Sequence, residues 1–178
     1  NFTNTLNFEH NYFLTEYFCD YLLAKNKFRI VEKYYFDEHS IFYSTVKDDS
    51  IKETLLVNKY NEYKSLFLKF IDHYYSEINR INLIIKNLDS SSNLYVFGAH
   101  IFTQFLLSIG LNTDKLISVL DNSEDKKNKR LYGTNLKINL PNIIEHDNYP
   151  VVILKAGQYQ NEIKKQLLSL NSNVRIIN

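Results

Sequence analysis

The sequence predicts an α/β protein: a Rossmann-like parallel sheet with flanking helices, preceded by a long helix and an N-terminal helix plus β-hairpin. Three observations carry this reading. Short β-branched and aromatic runs alternate with helical stretches across residues 91–178. One helical periodicity runs through residues 51–90 with neither Gly nor Pro to interrupt it. Ahead of it, two strand-like runs lie close enough together to form a hairpin.

Composition sets the outer bounds. The 178 residues are 44% hydrophobic and 15% aromatic, which is core material for a medium domain plus a small appendage. Lys and Arg number 21 against 20 for Asp and Glu, so the basic surplus of a nucleic-acid binder is missing. No apolar run approaches the ~20 residues that span a bilayer, and no secretory signal is visible. Cys19 is the single cysteine, so no internal disulfide can form, and a reducing, cytoplasmic setting is expected. The chain starts at Asn1 and contains no Met, which reads either as a trimmed fragment or as a sequence from which Met residues are missing.

Three segments follow in order. Residues 1–50 hold a helix over 15–25, with Leu14, Phe18, Tyr21 and Leu22 on one face and Asn26 as its stop. Strands over 28–35 and 39–46 follow, joined through Phe36-Asp37-Glu38. A helix and a hairpin bury too little by themselves and need a sheet to join. Residues 51–90 read as one long connecting helix. Ser50-Ile51-Lys52-Glu53 has the form of a capping box. Leu56, Tyr60, Tyr63, Phe67, Phe70 and Tyr74 begin an apolar repeat that continues to Leu88, a length of roughly 50 Å or more. Such a helix permits a homodimer. Residues 91–178 read as the Rossmann-like domain. A strand at Leu94-Tyr95-Val96-Phe97, a turn at Gly98-Ala99-His100, a helix over 101–109 and a strand over 116–120 make a β-α-β unit. A charged loop over 121–130, a strand over 151–154, a helix over 161–170 and a strand over 174–177 complete the alternation.

In a parallel sheet, ligands bind beyond the carboxyl ends of the strands, at a switch in strand order. Three segments are expected to meet there: Gly98-Ala99-His100, Asp121-Asn122, and Lys155-Ala156-Gly157-Gln158. Gly98 opens a helix whose free N–H groups favour an anion such as phosphate. Asp121 stands where dinucleotide folds place a carboxylate for a ribose hydroxyl. The full G-x-G-x-x-G fingerprint is absent, which argues against an NAD site. Each of these residues has a plainer reading as a turn, a cap or a solvated loop. The basic run Lys126, Lys127, Lys129 and Arg130 is within reach of a diphosphate, though such runs are more often solvated. Glu9-His10 is the one close carboxylate–imidazole pair in a plausible loop, suited to proton transfer at neutral pH. One Cys and five scattered His show no zinc-ligand spacing, so no metal is expected.

The runs 94–100, 117–122, 129–134 and 152–156 together resemble the C-terminal domain of sugar C-methyltransferases, over roughly residues 55–178. Residues 1–50 are similar to the end of that family's central methyltransferase domain. The resemblance implies an S-adenosylmethionine-dependent enzyme that methylates a nucleotide-linked keto-sugar in deoxysugar biosynthesis. It also implies that the cofactor loop and the zinc-binding cysteines precede Asn1, so nothing is expected bound here and this portion alone is inactive. The substrate residues implied on this portion are Gly98, His100, Asp121, Asn122, Arg130, Tyr132 and Lys155. The family's Tyr-His-Glu-His stretch, associated with proton abstraction, reads Asn7-Phe8-Glu9-His10 here. Glu9 and His10 match as catalytic residues, while Asn7 and Phe8 depart from the pattern. The alternative is a non-catalytic Rossmann-like binding or assembly module; a third is a partner domain of another sugar-modifying enzyme.

Overall fold

The computed structural model of the chain describes residues 14–36, 40–52 and 55–178. It divides into two compact units, with the boundary inside a helix after Ser65. Glu9, His10, Asn7 and Phe8, the middle of the hairpin turn and Glu53 lie outside the described residues.

The first unit holds α1 (Glu16–Lys25), β1 (Phe28–Phe36) and β2 (Ser40–Lys47). The strands pair antiparallel, with an irregularity between Ile30 and Glu32 that makes room for Val31. Lys33 and Tyr35 face α1. The Lys33 ammonium donates to Glu16 at 2.6 Å and Asp20 at 2.7 Å, and the Tyr35 hydroxyl donates to Glu16 at 2.7 Å. These bonds tie helix to hairpin and raise the Lys33 pKa. The opposite face carries exposed Tyr34 and Phe42, paired across the strands. Among the described residues of this unit none is buried.

The long helix is shorter than the sequence predicts. α2 runs Tyr60–Lys86, 27 residues, or about 40 Å. The expected capping box fails because Ser50 is engaged elsewhere. Its N–H and hydroxyl both donate to Asp48 Oδ1, at 3.0 and 2.5 Å, which closes a turn. Residues 55–59 are not helical. The Val57 N–H instead donates to the Tyr17 hydroxyl of α1 at 2.8 Å. Asn58, whose Oδ1 accepts the Tyr60 N–H at 2.9 Å, sets the true start of the helix.

The second unit is the parallel α/β domain. Its strands are β3 (Asn93–Phe97), β4 (Leu116–Leu120), β5 (Ile138–Asn139), β6 (Pro150–Leu154) and β7 (Arg175–Ile177). All pair parallel, in the order β5-β4-β3-β6-β7. The helices α3 (Ile101–Ser108) and α4 (Gln160–Leu170) belong to the β3–β4 and β6–β7 connections. Strand alternation sends Leu94, Val96 and Val119 to one face, where they pack with Ile78, Ile81 and Ile85 of α2 and with α3. Tyr95, Phe97 and Leu120 point to the other face and pack with Ile163 and Leu167 of α4. Every residue of β6 is buried, as expected of a strand covered on both sides.

Residues 131–140, to which periodicity assigns nothing, supply β5. Two residues are too few to show a period. The strand exists because Val119 and Asp121 donate to Lys137 and Asn139 carbonyls at 2.9 and 3.0 Å. No helix among the described residues is long and apolar enough to cross a membrane.

Candidate functional site

The sheet reverses its strand order between β3 and β6: moving outward from β3, β4 and β5 lie to one side, β6 and β7 to the other. Two connections therefore leave adjacent strands and diverge to opposite faces, the arrangement in which parallel α/β sheets generally form a crevice at the carboxyl ends. Register fixes what lines it. Phe97 pairs with Leu120 on one side and Leu154 on the other, so the loops beginning at Gly98, Asp121 and Lys155 start side by side.

Gly98 has φ +106°, in the region that glycine tolerates, and its N–H donates to the Leu120 carbonyl at 2.7 Å. A Cβ at this position would run into the His100 imidazole, which folds back over the turn. The Gly98 carbonyl accepts the Thr103 hydroxyl at 2.5 Å, tying the turn to the first turn of α3. His100 precedes α3 and makes no side-chain cap. One flank of it is exposed, yet the surrounding protein desolvates the ring and holds its pKa below the ordinary histidine value. The nearby Lys126 charge lowers it further and Asp121 opposes the shift.

The expected free N–H at the Gly98 turn is already occupied. Asp121 is 8% exposed, and its Oδ2 accepts the Ala99 N–H at 2.7 Å. Its Oδ1 accepts the Ser123 N–H at 3.0 Å. Lys126, from a short 3-10 turn at Glu124–Lys126, donates to Asp121 Oδ2 and to the Ala99 carbonyl, both at 3.0 Å. The carboxylate assigned to a ribose thus clamps the β3 and β4 loops together. Lys126 belongs to this clamp and is not merely a solvated loop cation.

Across the crevice, the Lys155 ammonium donates to Glu77 Oε2 of α2 at 2.7 Å. Arg80 approaches the same carboxylate through Nε at 3.2 Å and Nη2 at 3.0 Å. Hydrogen bonds from Arg80, then from Lys155, pull the Glu77 pKa down to about 2. The Ala156 N–H is also engaged, by Gln160 Oε1 at 3.0 Å. Glu77 was not foreseen from sequence. The signal was there: it lies three residues after Tyr74 and four before Ile81, a charge on the apolar face of α2.

The remaining expected residues divide. Asn122 stands at the β4 end, but its amide forms a reciprocal pair with Gln166 of α4, at 3.1 and 2.8 Å. Arg130 and Tyr132 do not reach the crevice. The chain doubles back there, with Arg130 bridged to Lys137 and the Leu131 N–H bonded to the Leu136 carbonyl at 2.9 Å. Tyr132, 85% exposed, sits at that reversal beside β5, where residues 130–135 line an open cavity of about 480 Å³. Gly98, His100, Asp121 and Lys155 are therefore the expected residues that the fold gathers, and Lys126 and Glu77 join them. No group of His, Cys, Asp and Glu among the described residues is arranged to hold a metal.

The fold defines a Rossmann-like α/β domain whose strand order reverses at β3–β6. The sequence matches no family model, and no curated protein matches it.

Proposed function

We propose that this chain is the C-terminal portion of an S-adenosylmethionine-dependent methyltransferase acting on a nucleotide-linked sugar, and that the β3–β6 crevice holds the substrate. The observation that carries the reading is the reversal of strand order at β3–β6, which sets Gly98-His100 and Lys155 on adjacent strand ends. The resemblance over residues 94–100, 117–122 and 152–156 supplies the chemistry. The strand ends do not fit S-adenosylmethionine itself. Asp121 is 8% exposed and is held by the Ala99 and Ser123 N–H groups, so a ribose reaches it only by displacing that clamp. The role of this portion is to bind and orient the sugar nucleotide, not the methyl donor.

The test is a thermal-shift screen of the 178-residue chain against nucleoside diphosphates and nucleotide-sugars. At a concentration 100 times its Kd, a bound ligand stabilises by about 2.7 kcal/mol. A shift from at least one of these ligands, lost in Gly98→Val, supports the reading; no shift from any of them removes it. A non-catalytic assembly module is the second reading, favoured by Asn7 and Phe8 where the family carries its tyrosine and first histidine. It predicts no shift from any ligand.

A further inference from the structure

Resting on the proposed substrate site, we infer that the β3–β6 crevice receives the sugar ring of the ligand, and that Glu77 and Lys155 bind its hydroxyl groups, while the diphosphate lies outside the crevice. The ionic groups at these strand ends are paired, and the Glu77 carboxylate is shared between Lys155 and Arg80. Lys155 is paired with Glu77 at 2.7 Å, and Lys126 with Asp121 at 3.0 Å. Two loop N–H groups at the strand ends are already donated: Ala99 to Asp121 and Ala156 to Gln160. A phosphate entering here competes with a carboxylate for Lys155, Arg80 or Lys126, which costs desolvation.

A hydroxyl-rich, uncharged ring meets no such obstacle. Each hydroxyl both donates and accepts, so it can bridge an ammonium to a carboxylate without separating them. Glu77 has lone pairs to receive hydroxyl protons, and Lys155 shows a single hydrogen bond among the described residues, so it has N–H groups left to give. Both side chains are about three-quarters shielded, at 24% and 23% exposure, where such bonds are not lost to water. His100, whose pKa is held below the ordinary histidine value by desolvation, adds hydrogen-bonding capacity beside them.

The experiment is isothermal titration of the whole chain with uridine and thymidine diphosphate and with their glucose derivatives, repeated on Glu77→Gln and Lys155→Gln. The native chain is expected to bind a nucleotide-sugar at least tenfold tighter than the matching diphosphate. In Glu77→Gln that preference should fall below about threefold, and the free diphosphate should bind tighter because Lys155 and Arg80 are released. Lys155→Gln should lose the preference without gaining diphosphate affinity. Equal binding of diphosphate and nucleotide-sugar to the native chain overturns the inference while the substrate-site reading survives. A preference that both variants retain also overturns it. No binding of any of the four ligands overturns the substrate-site reading itself. The native ratio decides the matter even where a variant does not fold.

Discussion

Asp121 is the residue whose removal tests the architecture of the strand ends most directly. Its carboxylate accepts from Ala99, Ser123 and Lys126 at 2.7, 3.0 and 3.0 Å. In Asp121→Ala, the buried Ala99 N–H loses its acceptor, which costs about 2 kcal/mol, and the half-buried Ser123 N–H about 1 kcal/mol because water can reach it. The Lys126 pair adds at most about 0.5 kcal/mol, since that side chain is 41% exposed and solvent screens it. The sum is about 3 kcal/mol, or roughly a 150-fold change in an equilibrium constant. Two compact units make a single unfolding transition a poor assumption, so the assay is amide hydrogen exchange read residue by residue. Amides of β3 and β6 should lose about 150-fold in protection, while those of β1 and β2 should not change. Asp121→Asn keeps one acceptor oxygen but turns an N–H₂ toward the other donor, so it should fall between, at about 2 kcal/mol. A loss of protection below about fivefold in Asp121→Ala would mean that water or another acceptor replaces the carboxylate, and the clamp would be incidental.

Gly98→Ala should destabilise the second unit by about 2–3 kcal/mol, from its positive φ and the clash with the His100 ring. Adding His100→Ala should restore the clash part only, and strict additivity of the two would refute the contact. By NMR, His100 should titrate below the ordinary histidine value; Lys126→Gln should move the midpoint up and Asp121→Asn should move it down. The folded state prefers the neutral ring, so this contribution to stability is present above the ordinary histidine value and lost as pH falls through the folded midpoint. Glu77 is held near 2, well below the usual 4.5, so its contribution is present above 4.5 and lost as pH falls toward 2. A melting series should show a decline of about 1–2 kcal/mol over that window, after discount for the exposed Arg80, and Glu77→Gln should flatten it. The β1 and β2 amides should exchange orders of magnitude faster than those of β6, because no described residue of the first unit is buried.

The elements that sequence reasoning located well are those with a buried face. β3, α3, β4, β6 and α4 fall within about two residues of their expected bounds, because Leu94–Phe97 and Val151–Leu154 are buried on both sides and α3 is apolar along its length. The hairpin was legible for a different reason: aromatic and β-branched density with a short connection. What misled was the start of α2. The apolar repeat from Leu56 satisfies a helical period, but Leu56 is exposed and the segment 55–59 is not helical. A period records which positions are apolar; it does not record whether anything packs against them. Local hydrogen bonds from the Ser50 hydroxyl to Asp48 and from the Tyr60 N–H to Asn58 decided the boundary instead.

The same limit explains the candidate site. Sequence places Gly98, Asp121 and Lys155 at strand ends, since strand ends follow from hydrophobic runs. It cannot say which charges cancel, because the partners lie far away along the chain: Glu77 is 78 residues from Lys155, and Asp121 is 22 from Ala99. Two cations and a helix N-terminus beside a glycine turn look like a phosphate cradle until those partners are known. With them in place, the Ala99 and Ala156 donors are filled and both ammonium groups are neutralised. Rossmann-like topology therefore fixes which strand ends lie side by side, while long-range side-chain pairing fixes which of their charges are already partnered. In this chain the pairing engages Lys155 and Lys126 with carboxylates, and Glu77 of α2 is the partner that no local pattern reveals.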